Sequence, residues 1–137
     1  MNLTIIDGQG GMLGAQLVKE ISARFPEIEI TVVGTNASAT AAMIKSGAKR
    51  AATGENPVVV ACRTAQVIIG PIGIVIADSL FGEVTPSMAL AVSQANAVRI
   101  LIPMNKCDNL VAGVGDSSTS VLIEDAMAKL GRIVSEA

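Results

Sequence analysis

Three observations on this 137-residue chain predict an α/β fold with a mainly parallel sheet. Short apolar runs alternate with helix-length amphipathic segments from end to end, the pattern of βα units rather than of hairpins. The first run, Leu3 to Ile6, enters a glycine turn, Asp7-Gly8-Gln9-Gly10-Gly11-Met12-Leu13-Gly14, that opens a helix. A second run, Ile28 to Val33, follows at the ~30-residue spacing of a βαβ unit. Together they predict a Rossmann-like three-layer sandwich, one domain over residues 1–137, with about five to six strands.

Each element has a local reason. Leu3-Thr4-Ile5-Ile6 is apolar on both faces, as a central parallel strand must be. After the glycines, Leu13, Leu17, Ile21 and Phe25 recur every four residues, one apolar stripe that Pro26 ends. Ser38 is expected to cap a helix from Ala39 to Ser46, with Gly47 as its stop, and Lys49 to Thr53 is expected as a third strand. Pro57 to Thr64 is read as a short helix, because Ala65 to Ile69 makes the better strand after it. Gly70-Pro71-Ile72-Gly73 is expected to break the chain, and Ile74 to Leu80 to form a helix. Thr85-Pro86 is an N-cap with proline in the first turn of a helix reaching about Asn96. Arg99 to Ile102 is a strand, Leu110 to Val114 a last edge strand, and Asp116 or Ser117 the start of the final helix.

Composition narrows the partners. Half the residues are hydrophobic and 16% are charged, which rules out a disordered chain. A net charge of −2 offers no electrostatic case for nucleic acid or an anionic membrane. No Trp or Tyr and only two Phe are present, so no stacking platform for bases is expected. Val67 to Ala77, the longest apolar stretch, is shorter than the ~20 residues of a membrane span. The N-terminus lacks a basic region and enters a strand directly, and the cysteines number two, Cys62 and Cys107. A cytoplasmic protein with reduced thiols is the expectation. A mean hydropathy of +0.56 leaves little polar surface, so a homodimer is expected.

In parallel α/β sheets ligands bind outside the carboxyl ends of the strands. The segments that follow the predicted strands there are Gly8 to Gly14, Gly34-Thr35-Asn36, Thr53-Gly54-Glu55-Asn56, Gly70-Pro71-Ile72-Gly73 and Asn105-Lys106-Cys107-Asp108. Glycine and small polar residues let backbone approach a ligand and donate to it, although turns use them too. The expected cofactor-binding residues are therefore Gly8, Gln9, Gly10, Gly11, Met12, Leu13, Gly14, Gly34, Thr35, Asn36, Thr53, Gly54, Gly70, Pro71, Ile72, Gly73, Asn105 and Lys106.

The glycine spacing discriminates among templates. G-x-G-x-x-G fails at Leu13, whereas G-x-x-G-x-x-G is met by Gly8, Gly11 and Gly14. That stretch resembles the fingerprint of extended short-chain dehydrogenase/reductases, which bind NAD or NADP. The resemblance implies that Gly8 makes the tight turn, Gly11 admits the pyrophosphate and Gly14 lets helix and strand pack closely. A phosphate-binding loop of the ATPase kind needs Lys and Ser or Thr where Met12 to Gln16 stand, and is disfavoured. The acid that holds the ribose 2′-hydroxyl of NAD is replaced by Thr35 and Asn36, so NADP is at least as well suited as NAD.

The segments Ile6 to Gly11, Gly34 to Asn36, Ala52 to Asn56, Gly70 to Gly73 and Pro103 to Cys107 also resemble a bacterial family of short Rossmann-like proteins known only as a domain of unknown function. This resemblance spans nearly the whole chain. It implies the fold and a nucleotide site, and no activity.

Catalytic chemistry is less legible. No histidine is present, nor the Tyr-x-x-x-Lys pair of short-chain reductases, which excludes hydride transfer in their manner. Lys106 beside Cys107 is the candidate for an activated thiol, with phosphate binding the better use of Lys106. Asp78 and Glu83 are two carboxylates without a third metal ligand, so no metal site is assigned. Three readings stay open: a dinucleotide-binding sensor or subunit, a small NAD(P)-linked oxidoreductase completed across a dimer, and a structural or interaction protein with no nucleotide.

Overall fold

A computed structural model describes residues 1–104 and 109–137. The strands are β1 (Asn2–Asp7), β2 (Glu29–Gly34), β3 (Arg50–Thr53), β4 (Val67–Pro71) and β5 (Val98–Ile102). They alternate with α1 (Met12–Arg24), α2 (Ala37–Lys45), α3 (Glu55–Cys62), α4 (Pro86–Gln94) and α5 (Thr119–Glu136). All five strands pair in parallel in the order β3-β2-β1-β4-β5. This is the doubly wound order 3-2-1-4-5-6 without its sixth strand.

The pleat explains the three layers, since successive strand residues point to opposite faces. Leu3 and Ile5 of β1 join a core with Leu17 and Ile21 of α1, Met43 of α2 and Leu130 of α5. Ile6 joins the opposite core, with Val58 of α3 and Met88 and Val92 of α4. A strand covered on both sides has to be apolar at every position, which is why these runs do not alternate. Leu17 and Ile21 have no exposed surface, a burial that stabilises by roughly 1.5–3 kcal/mol per side chain.

The connections place the site. α1 and α2 carry the chain outward from β1 to β3 over one face, and α3 returns it to β4 over the other. Right-handed crossovers in opposite directions put their helices on opposite faces. The segments leaving β1 and β4 therefore diverge, and a crevice opens between them at the carboxyl edge.

Several local expectations are corrected. Asn36, not Ser38, caps α2: its side chain accepts from the Ala39 N–H at 2.8 Å. Gly70-Pro71 does not break the chain but completes β4, with Pro71 opposite Ile102. Gly70 is required there because a Cβ would collide with the Ile6 carbonyl. Ile74 to Leu80 is not a helix. Ile72–Val75 forms a single 3-10 turn, and residues 76–84 then run as an irregular loop. The β-branched Ile74, Val75 and Ile76 lose side-chain freedom in a helix, and Ile74 is instead drawn into the core. Leu110 to Val114 is not a strand. Its residues are exposed, so ordering them as a strand would bury nothing to offset the entropy lost. The last helix starts at Thr119, capped by Ser118, whose hydroxyl accepts from Val121 N–H at 3.3 Å. The Thr85 cap and the proline in the first turn of α4 are present as expected. No helix among the described residues is long and apolar enough to cross a membrane.

Candidate functional site

The glycine turn is held from inside by Asp7, the last residue of β1. Its Oδ1 accepts from Gly8 N–H at 2.8 Å and its Oδ2 from Gly14 N–H at 2.7 Å. The Gly14 N–H lies in the first turn of α1, where amides have no partner within the helix. A strand-end carboxylate thus does the work of an N-cap. Asp7 is only 5% exposed, and that burial pushes its carboxyl above the ordinary range. The bonds from Gly14 and Gly8 pull the other way, and the charge of Glu83 adds to the rise.

The glycines have contacts within the chain. A Cβ on Gly14 would meet Met43 Sδ at 2.5 Å and Asp7 Cβ at 2.9 Å, so helix and strand touch there. Gly11 sits at φ 72°, and a Cβ would lie 2.7 Å from the Ala39 backbone. The space beside Gly11 that the fingerprint assigns to a pyrophosphate holds the start of α2.

Glu83 is the residue whose role sequence reasoning missed. From the loop after β4 it reaches across the turn, and its Oε1 accepts from Gln9 N–H at 2.9 Å, Thr35 Oγ1 at 2.7 Å and Asn36 Nδ2 at 2.8 Å. Partial burial pushes this carboxyl up, but the three donors outweigh it and hold Glu83 below its ordinary range. The inference that no acid stands at the end of β2 is therefore corrected: β2 lacks one, and Glu83 brings one in space. Thr35 and Asn36, two small donors in a row, are the signal that a distant acceptor is wanted there. Glu83 is engaged in hydrogen bonds, and no group of three or more potential metal ligands occurs among the described residues.

On the β4 side of the turn lies a cleft of about 520 Å³, within the range of small-molecule sites. Gly8, Gln9 and Leu13 form one wall, and Pro71, Ile76 and the loop Ala77–Phe81 form the other. It sits at the switch point between β1 and β4. No described residue accepts from the N–H groups of Met12 and Leu13, which open α1 beside it. Such amides, with the positive end of the helix dipole, suit an anionic group. The far wall is largely apolar. Asp7, Asp78 and Ser79 are the acid and hydroxyl groups lining the cleft, and the Ser79 hydroxyl is bonded to the Gly73 carbonyl. Two hydroxyls among the described residues donate to a carboxylate, Thr35 to Glu83 and Thr85 to Glu55, and neither residue lines this cleft. A second cleft of about 500 Å³ runs between β5 and α5, past Arg99, Asp125 and Lys129, away from the glycine turn.

Of the expected binding residues, the cleft brings together Gly8, Gln9, Leu13 and Pro71. Thr35 and Asn36 lie under Glu83 on the other side of the turn. Gly34 packs against Thr40, whose hydroxyl bonds Thr53 Oγ1 at 2.7 Å, while Gly54 N–H bonds the Gly34 carbonyl at 2.9 Å. Thr53 and Gly54 are thus separated from the cleft by β2. Gly73 packs on Ser79, and Gly10 has open space around it. Asn105, Lys106 and Cys107 lie outside the described residues. Cys62 is buried in the core as expected, and burial pushes its thiol up to about 11.

No curated protein matches the chain. Among solved structures, it is similar to the FMN-dependent cysteine decarboxylase TvaF from thioviridamide biosynthesis, at 13% identity and a TM-score of 0.47, over 96% of this chain and 86% of that one. It is also similar to a dodecameric FMN-dependent UbiX-like decarboxylase from Escherichia coli O157:H7, at 19% identity and a TM-score of 0.46, over 96% of this chain and 76% of that one. At sequence level, residues 2–135 match a family model, and the chain belongs to that family: the domain of unknown function DUF3842.

Proposed function

We propose that this protein binds a nucleotide cofactor in the cleft between β1 and β4, as a sensor or as a subunit of a larger assembly. One observation carries the reading: Leu13, whose amide in the first turn of α1 has no acceptor among the described residues, borders an open cleft of about 520 Å³ at the switch point of the sheet. The phosphate would lie against the Leu13 amide, and the less polar part of the ligand along Pro71, Ile76 and Leu80. Glu83 lies on the β2 side of the turn and does not line this cleft, so NAD and NADP are both carried into the test.

A thermal-shift panel of NAD, NADP, FMN, FAD, ATP and a sugar nucleotide tests this. A true ligand at ~100 times its Kd stabilises by about 2.7 kcal/mol. No shift from any of them at millimolar concentration would refute the nucleotide reading. Self-association is proposed alongside, as a homodimer. Leu110 (98% exposed), Val121 (57%) and Leu90 (54%) are the kind of surface it would cover. A monomer by light scattering at micromolar concentration would rule it out.

A further inference from the structure

Four non-glycine residues among those described have positive φ: Gln9 at 50°, Asp78 at 66°, Leu80 at 56° and Phe81 at 58°. All four line the same cleft. The left-handed region is costly for any side chain, and most so for bulky ones. Strain of this kind persists only where the surroundings over-determine it, and it gathers at ligand sites. Here the loop is tied down at both ends. Asp78 N–H donates to the Val84 carbonyl at 2.7 Å, Val84 N–H to the Ser79 carbonyl at 3.2 Å, and Glu83 grips the glycine turn.

What that strained loop holds up is Phe81. The chain has two Phe and no Tyr or Trp. Phe25 packs against the core, whereas Phe81 is 102% exposed at the rim of the cleft. Gly, Asn or Asp would form this turn at lower cost, and a polar residue would suit full exposure. A phenyl ring there contributes nothing to the packing of the unliganded protein.

We propose that Phe81 is a stacking residue, and that the ligand of this cleft carries a planar aromatic ring which Phe81 covers while its phosphate lies toward the amides that open α1. The inference rests on the nucleotide reading of the cleft and narrows its ligand to a ring-bearing one. Stacked or edge-to-face rings gain beyond the area they bury, so one exposed phenyl suffices to discriminate a flat heteroaromatic group from a sugar phosphate.

The test compares three mononucleotides that carry a planar aromatic ring, AMP, FMN and nicotinamide mononucleotide, with ribose 5-phosphate, which has the phosphate and no aromatic ring. At least one mononucleotide should bind the wild type. Phe81→Ala should weaken it on the order of tenfold, Phe81→Trp should retain it, and ribose 5-phosphate should respond to neither change. Phe81→Gly should raise the Tm by relieving the φ strain while weakening the same mononucleotide, a separation that a merely structural Phe81 would not show. Equal binding by wild type and Phe81→Ala overturns the stacking role, whether or not the oligomeric state changes, and leaves the cleft reading standing. Binding of none of the four probes overturns both.

Discussion

Toward β2, Asp7, Glu83 and the start of α2 close the glycine turn; toward β4, the same turn borders an open cleft of about 520 Å³. On the closed side, the donors a ligand would use are already taken by carboxylates of the protein, and the room beside Gly11 is filled by Ala39. On the open side, the N–H groups of Met12 and Leu13 have no acceptor among the described residues, and the backbone is strained. The lesson is that a glycine spacing mixes two causes. Gly11 and Gly14 are demanded by the packing of α1 on α2 and β1 whether or not anything binds. The case for a ligand rests on the other side of the turn.

The largest effect should come from filling the closed side. Gly11→Ala places a side chain against the Ala39 backbone at φ 72°. Overpacking costs ~1–3 kcal/mol and the left-handed conformation another ~1–2. Gly10→Ala, with Met12 Cγ 3.9 Å away as its nearest neighbour, should stay within ~0.5 kcal/mol of wild type. Urea denaturation of the pair measures the contrast, and equal stabilities would show that α2 does not close the turn.

Next in size is Asp7→Ala, which leaves the Gly8 and Gly14 amides without their acceptor, at roughly 1–3 kcal/mol for each amide that stays buried. The two acids should also give opposite pH slopes. Asp7, raised in the fold, favours folding fully below the ordinary Asp pKa, and that contribution is lost as pH rises through the folded value. Glu83, lowered in the fold, contributes fully above the ordinary Glu pKa and loses it as pH falls through the folded value. Melting curves across the acidic range should show Asp7→Asn removing the first trend and Glu83→Gln the second.

Glu83→Ala comes next, at about 1 kcal/mol, because its partners are partly exposed and can turn to water. A much larger loss would mean that the loop 76–84 collapses without it. The smallest change should follow Arg24→Ala, which breaks the bidentate pair joining α1 to Glu124 of α5, at 2.6 and 2.8 Å, on an exposed surface. Its effect on Tm should shrink further in salt. A loss as large as that of Asp7→Ala would mean the stability of the turn depends on α5.

Much of the fold was legible because it rests on local patterns. The runs at Leu3–Ile6 and Ile28–Val33, the stripe of α1 and the Thr85-Pro86 start of α4 each carry their cause within a few residues. The errors fall where a distant contact decides. Gly70 reads as a breaker until the Ile6 carbonyl is seen against it, and Ile74 reads as helical until the core claims it. The site divides in the same way. Gly8, Gln9 and Leu13 were legible from the turn, whereas Ile76 and Leu80 were hidden inside a helix that does not form, and Phe81 lay just beyond its expected end.

By itself, then, the sequence determined the fold class and the place of the glycine turn, because hydrophobic period and turn chemistry are properties of neighbouring residues. Only the tertiary structure decided which side of the turn is open. That depends on Glu83 lying 74 residues from Gln9 in the chain and 2.9 Å from it in space, a contact no periodicity encodes.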